Sequence, residues 1–254
     1  MSRPEAIIHR DGELLAAATA ARLVTAIVDT QAARGAASVV LTGGRTGTAV
    51  LEQLRAAPAR DAVDWSRVDF YWGDERFLPS GHPDRNETQA RVALLDHVAV
   101  DPDRVYAMAA PDGEFGDDPE AAAAAYAELL AARATDDTYP APVFDVCLLG
   151  VGEEGHTASV FPDSPAVHET GRSVVAVRDC PKPPPIRVSL TLPAIRNSAQ
   201  VWLMTTGEAK AEAVAAALGG ASEVALPAAG ARGRRRTLWL LDRTAGSGVP
   251  AHSA

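Results

Sequence analysis

The sequence predicts a three-layer α/β fold, a mainly parallel sheet with helices on both faces. Three observations predict it. Short runs rich in valine and leucine alternate with longer alanine-rich stretches, and strands alternating with helices favour a parallel sheet covered on both sides. Two strand-like runs end in glycine-containing turns that open helices, Leu41–Gly47 and Thr205–Lys210. The chain has 254 residues, 47% of them hydrophobic, enough for one large core.

The elements follow in order. Residues 5–9 read as a strand, and the alanine-rich run from Glu13 to Ala33 as a helix. Ser38–Thr42 is a strand, Gly43-Gly44 turn it, and a helix runs from Gly47 to Ala57. Val68–Trp72 is a strand and 73–86 a polar loop. Asn86 and Gln89 stand at capping-box spacing for a helix over 87–97. Val105–Met108 reads as a short strand, and Pro119 to Arg133 is helical by composition. The second half opens on an apolar strand over 143–149, followed by a glycine-rich turn and a strand over Ser173–Val177. Pro181, Pro183, Pro184 and Pro185 make a stiff extended connector. A strand Arg187–Leu192, a short helix 193–197, a strand Ala199–Thr205, a helix 208–218 and a strand Thr237–Leu241 complete the series. With no internal repeat or linker, the chain reads as one domain over 1–246 and a disordered tail over 247–254.

The net charge of −9 argues against nucleic acid or an anionic membrane as a partner for the surface as a whole. Arg232–Arg236, the one basic run, reads as a solvated loop before the last strand. Two cysteines, Cys147 and Cys180, form neither a disulfide framework nor a zinc spacing and fit a reducing compartment. The first residues lack the long apolar region of a signal peptide, and no segment is apolar enough to span a bilayer. A cytoplasmic protein is expected, and protein partners stay open. Only two of the 24 basic residues are lysine, Lys182 and Lys210. Lysine that survives in so arginine-rich a chain is weighted toward needing its compact ammonium.

Four segments carry candidate chemistry. Gly150–Pro162 places His156 just beyond a glycine-rich turn at the end of a central strand, two residues after Glu154. A histidine there is suited to moving protons near neutral pH, and a nearby carboxylate fixes its tautomer and stabilises its charged form. Gly150, Gly152 and Gly155 also match the dinucleotide fingerprint. Glu153 and Glu154 would repel a pyrophosphate, however, and Pro162 and Pro165 would interrupt the helix that should receive it. Ser159 lies close to His156, but the chain has no Gly-x-Ser-x-Gly elbow to make it a nucleophile. In Leu41–Gly47, paired Gly43 and Gly44 let backbone N–H groups converge on an anion, with Arg45 and Thr46 as further donors. It is not a Walker loop, and an unliganded tight turn is the plainer alternative. Trp72–Pro79 sets Asp74, Glu75 and Arg76 directly after a strand, with Arg76 a candidate for an oxyanion or phosphate and Asp74 for orientation. Arg187 after the proline connector and Lys210 at a helix start are candidate anion ligands. A cation opposing a helix dipole suggests an anion between them.

Together these segments resemble the 6-phosphogluconolactonase family. The resemblance rests on Leu41–Gly47, Trp72–Arg76, Leu148–Pro162, Pro183–Pro193 and Gly207–Lys210, which occur in family order over residues 40–212. One departure is Glu154, where the family pattern usually has aspartate. The resemblance implies the α/β fold shared with glucosamine-6-phosphate deaminase and related sugar-phosphate isomerases, and a metal-free, cofactor-free lactone hydrolysis. It implies a phosphate site at Gly43, Gly44, Arg45, Thr46, Arg187 and Lys210. His156 then serves as base, Glu154 or Asp74 orients it, and Arg76 or turn N–H groups meet the oxyanion. A deaminase is the nearest enzyme alternative, but such relatives have a glutamate where this chain has Phe161. A non-catalytic sugar-phosphate sensor would need a DNA-binding segment.

Overall fold

The computed structural model describes residues 1–134 and 138–249. Its elements in chain order are β1 (Pro4–His9), α1 (Gly12–Arg34), β2 (Ala37–Leu41), α2 (Gly44–Ala56), β3 (Val68–Trp72), β4 (Asp74–Arg76) and α3 (Asn86–Ala93). They continue with α4 (Pro119–Ala131), β5 (Val146–Gly150), β6 (Val174–Val177), β7 (Arg187–Leu190), α5 (Leu192–Arg196), β8 (Gln200–Thr205), α6 (Ala211–Leu218) and β9 (Arg236–Asp242).

Local chemistry sets the helix ends. Asp11 accepts the Leu14 N–H at 2.9 Å to start α1, and Gly35 ends it at φ +81°. Asp118 caps α4, with Pro119 in its first turn. Six strands pair in parallel in the order β1-β9-β8-β5-β2-β3. β5 lies at the centre, with Val146 to Leu149 all buried, as a continuous apolar run requires when both faces are covered. α1 packs against α2 and β9, and α2 against α3. Trp72, Trp239, Phe70 and Phe144 are the bulkiest apolar side chains that are completely buried, and Trp202 and Trp65 join them in the core.

The fold class agrees with the expectation, but three strands leave the main sheet. β4, β7 and β6 form a separate antiparallel sheet, on which α4 packs. Residues 73–86 are therefore not all loop, and the strands expected at 173–177 and 187–192 do not extend the parallel sheet. Gly73 joins the two sheets: its N–H donates to Leu41 O at 2.9 Å, and its carbonyl accepts from Leu190 N at 2.8 Å.

Smaller differences have local causes. α2 begins at Gly44, before the expected Gly47, and Gly44 itself takes φ +76°, which glycine adopts without strain. Asn86 does not cap α3. Arg85 occupies that position without a side-chain cap, and Glu75 accepts the Asn86 and Glu87 N–H groups at 2.7 and 2.8 Å. Val105 makes only a single bridge to Phe70, so 105–108 is not a strand. The proline connector contains a cis bond between Pro183 and Pro184. Arg236 lies inside β9 and pairs with Glu5 at 3.1 Å, so the basic run is only partly loop. Ser247–Val249 is a turn, and Val249 packs on the core; 250–254 lie outside the described residues. No helix among the described residues is long and apolar enough to cross a membrane.

Candidate active site

β2 and β5 are adjacent, but the chain leaves β2 toward β3 on one side and β5 toward β8 on the other. Loops beyond the carboxyl ends of such a strand pair splay apart and leave a cleft for ligand. A cavity of about 230 Å³ lies there. Thr42, Gly43 and Gly44 line it after β2, and Gly150, Val151, Gly152 and His156 after β5. Asp74 and Arg76 of β4, Arg187 of β7, and Asn86, Lys182 and Lys210 complete the polar lining.

The turn after β5 is built to present His156. The Gly152 N–H donates to His156 O at 2.9 Å, and the Gly155 N–H to Gly152 O at 3.1 Å. Gly155 adopts φ +80°, which only glycine takes without strain. A Cβ on Gly152 would lie 2.0 Å from His156 Nδ1, so the bare backbone there makes room for the ring. No α-helix follows the turn before β6, only a short 3-10 helix at Pro165–His168, unlike a dinucleotide site. The imidazole stacks on Phe161, with centroids 4.4 Å apart. Glu154 Oε1 lies 3.2 Å from Nδ1 but off the hydrogen-bond line, so Nδ1 is buried without a hydrogen-bond partner. The other Glu154 oxygen accepts from Lys182 Nζ at 2.9 Å.

These contacts set the protonation states. Burial holds the His156 imidazole below the ordinary histidine value, and Lys182 adds to this against the opposing pull of Glu154 and Asp74. Burial alone would raise the Glu154 carboxyl, but Lys182, local hydrogen bonding and His156 bring it down to about 2. The site at neutral pH therefore pairs a neutral base with a fixed anion.

Asp74 is buried and fully engaged. It accepts the Ser159 hydroxyl at 2.7 Å and Asn86 Nδ2 at 3.3 Å, and Arg187 lies 3.8 Å away. Asp74 faces Ser159 and Asn86, whereas Glu154 is the carboxylate in contact with His156. Arg187 is itself buried and donates to the carbonyls of Lys182 and Pro184 at 3.0 and 3.2 Å, which ties the proline connector to the cleft. Arg76 donates from Nη1 to Asp84 O at 2.6 Å, while its Nε is buried with no partner.

The glycine loop and Lys210 line the same cavity. α2 starts at Gly44 with no acidic residue in its first turn, so its dipole favours an anion at the cavity. Arg45 and Thr46 do not line the main cavity; they line an adjoining pocket of about 180 Å³ that shares Gly43, Gly44 and Lys210 with it. Lys210 Nζ lies 3.2 Å from Glu153 Oε1. Gly43 is required for contact rather than conformation: a Cβ there would lie 1.9 Å from Asn86 Oδ1. Gly43→Ala is expected to cost about 1–3 kcal/mol by overpacking and to lower activity by displacing Asn86 from Asp74. Adding Asn86→Ala should restore the lost stability, read by thermal unfolding of the single and double variants.

Lys182, Asn86 and Ser159 were not legible as site residues from the sequence. The signal for Lys182 was the scarcity of lysine, since both lysines of the chain line this cavity. Asn86 resembled a helix cap, and only the fold turns it toward Asp74. Among the described residues, no group of three or more His, Cys, Asp or Glu could hold a metal ion.

The family model described as glucosamine-6-phosphate isomerases/6-phosphogluconolactonase matches residues 10–239. A 6-phosphogluconolactonase of Streptomyces coelicolor is 62% identical over 248 residues, covering 97% of this chain and 95% of its own length. One from Mycobacterium tuberculosis is 54% identical over 244 residues, covering 96% and 98%. The solved structure of 6-phosphogluconolactonase from Trypanosoma brucei superposes with a TM-score of 0.82 at 26% identity, over 98% of this chain and all of that one. A monomeric glucosamine-6-phosphate deaminase shares the fold, with a TM-score of 0.78 at 22% identity over 96% of this chain and 99% of that one.

Proposed function

This chain belongs to the glucosamine-6-phosphate isomerase/6-phosphogluconolactonase family, and on that footing we propose that it is a 6-phosphogluconolactonase. The reaction is hydrolysis of 6-phospho-D-glucono-1,5-lactone to 6-phosphogluconate, within the oxidative pentose phosphate pathway. The observation that carries the reading is that one cavity holds both a neutral histidine and the cations Arg187 and Lys210. A phosphorylated sugar lactone needs both a proton acceptor and a grip on its dianionic tail.

His156 takes a proton from a water molecule as the water oxygen bonds to C1 of the lactone. The carbonyl electrons move onto oxygen, and Arg76 or the N–H groups of the turn stabilise that oxyanion. Collapse of the tetrahedral intermediate re-forms the carbonyl and breaks the bond from C1 to the ring oxygen. The ring oxygen then takes the proton from the imidazolium. Glu154 stabilises the imidazolium between these two transfers, and Asp74 fixes Ser159 and Asn86 around it. Gly43, Gly44, Arg45, Thr46, Arg187 and Lys210 hold the phosphate, which converts binding energy into position. Phe161 stacks on the ring, where a deaminase would need a further acid–base group.

The decisive assay measures acid production from freshly generated 6-phosphogluconolactone, corrected for spontaneous hydrolysis. A rate above the spontaneous one is expected; none would overturn the assignment, and ammonia release from glucosamine 6-phosphate would move it to the deaminases. The pH dependence has a definite sign. The base works only when neutral, and burial lowers its proton affinity from the ordinary value of 6.5. kcat/KM should therefore hold at neutral pH and fall as pH drops, with its acid limb below 6.5. A limb centred above that value would contradict the burial argument.

A further inference from the structure

Both lysines of the chain meet in this cleft, each held by one of two adjacent glutamates: Lys210 by Glu153 at 3.2 Å and Lys182 by Glu154 at 2.9 Å. The two pairs differ in what lies behind them. Glu153 is well exposed, so its hold on Lys210 is weak and open to exchange for another anion. Glu154 instead stands between Lys182 and the ring of His156, with one oxygen toward each.

We propose that Lys182 is a positioning residue: it holds Glu154 off the hydrogen-bond line of His156, so that the carboxylate lies beside the imidazole without capturing it as an ion pair. This inference rests on the reading of His156 as the base. Three features support it. The Glu154–Nδ1 contact is short yet misaligned, and Nδ1 has no other partner. Lys182 is fixed at its backbone, where its carbonyl accepts from the buried Arg187 guanidinium at 3.0 Å. Glu154 divides its two oxygens, Oε2 accepting from Lys182 Nζ at 2.9 Å while Oε1 faces the imidazole.

The charged groups facing His156 are Glu154 from its own turn, Lys182 from the connector and Asp74 from β4. Asp74 is already satisfied by Ser159 and Asn86, so the variable balance is between Glu154 and Lys182. Without the ammonium, Glu154 is free to swing fully onto Nδ1, the imidazolium is favoured, and the free base is available only at higher pH.

The test replaces Lys182 by methionine and by arginine. In Lys182→Met the acid limb of kcat/KM should move to higher pH, read as a greater loss at about pH 6 than at about pH 8. Lys182→Arg should restore the wild-type limb. The titration of the His156 ring, followed by NMR in protein without substrate, should move in the same direction in Lys182→Met. An unmoved ring titration, or a raised KM with an unmoved limb, overturns the inference, the latter by making Lys182 a substrate ligand. Because the NMR titration needs no turnover, absence of lactonase activity in the wild-type protein would count against the proposed function while leaving this test intact.

Discussion

Replacing His156 with alanine is expected to lower kcat by about 10²–10⁴-fold, the usual contribution of a positioned general base, with little change in phosphosugar affinity or thermal stability. The loss should be large because the turn after β5 offers no second base. Glu154 is held ionised by Lys182, and a carboxylate held that low is a poor acceptor for a proton from water. Asp74 already accepts from Ser159 and Asn86. Stability should change little because the ring makes no aligned hydrogen bond at Nδ1, so truncation forfeits mainly the Phe161 stack, worth about 0.5–1.5 kcal/mol for an aromatic pair. Affinity should persist because the cations stand on other elements, Arg187 on β7 and Lys210 before α6. Steady-state kinetics on fresh lactone, with calorimetric titration of 6-phosphogluconate, separate these quantities. Near-wild-type turnover would remove His156 from the mechanism.

The legible part of the molecule was what local pattern encodes. β2, β3, β5, β8 and β9 each contain an apolar run long enough to read as buried strand, and the glycine turns after β2 and β5 mark where the cleft opens. Those turns and the helix start after β8 place His156, Gly43, Gly44 and Lys210 at the cleft, and the structure brings Asp74, Arg76 and Arg187 to the same cavity from the second sheet. β6 and β7 were legible as strands but not as a separate sheet, because their partner β4 is three charged residues, Asp74-Glu75-Arg76, and strand propensity counts such residues against a strand. They are buried because distant groups satisfy them, and sequence spacing does not show that Asp74 will meet Ser159 or that Glu75 will meet the start of α3. Lys182 was obscured for the same reason: its partner Glu154 is 28 residues away, and only the return of the connector over the cleft joins them.

The same buried charges carry the largest expected effect on stability. Glu75 accepts three backbone N–H groups, from Arg76 at 2.8 Å, Asn86 at 2.7 Å and Glu87 at 2.8 Å, and so ties β4 to the start of α3. Arg85, 1% exposed, lies 3.8 Å from it and donates to the carbonyls of Leu78 and Met108 at 2.9 and 2.7 Å. Removing Arg85 leaves Glu75 without a cation, whereas removing Glu75 leaves Arg85 only the partly exposed Glu87 carboxylate at 3.5 Å; the two losses are unequal. Burial already pushes the Glu75 carboxyl up to about 7 against the pull of Arg85, so without Arg85 it can take up a proton and shed its charge. Arg85 has no such escape, because a guanidinium stays protonated in proteins. Glu75→Leu should therefore be the costlier change, about 3–5 kcal/mol, or a fall in Tm on the order of 10 °C. Arg85→Met should cost less, and the double variant should be more stable than Glu75→Leu alone, since replacing both members removes a buried cation left with only Glu87 as its anionic partner. Activity should fall with Glu75→Leu as well, because Arg76 and Asn86, which both line the cavity, are bonded to Glu75 through their backbone. Thermal and denaturant unfolding of the four proteins closes the cycle. Equal costs for the two single variants, or a double variant no better than Glu75→Leu, would show that the network is held by its backbone contacts and not by its charges.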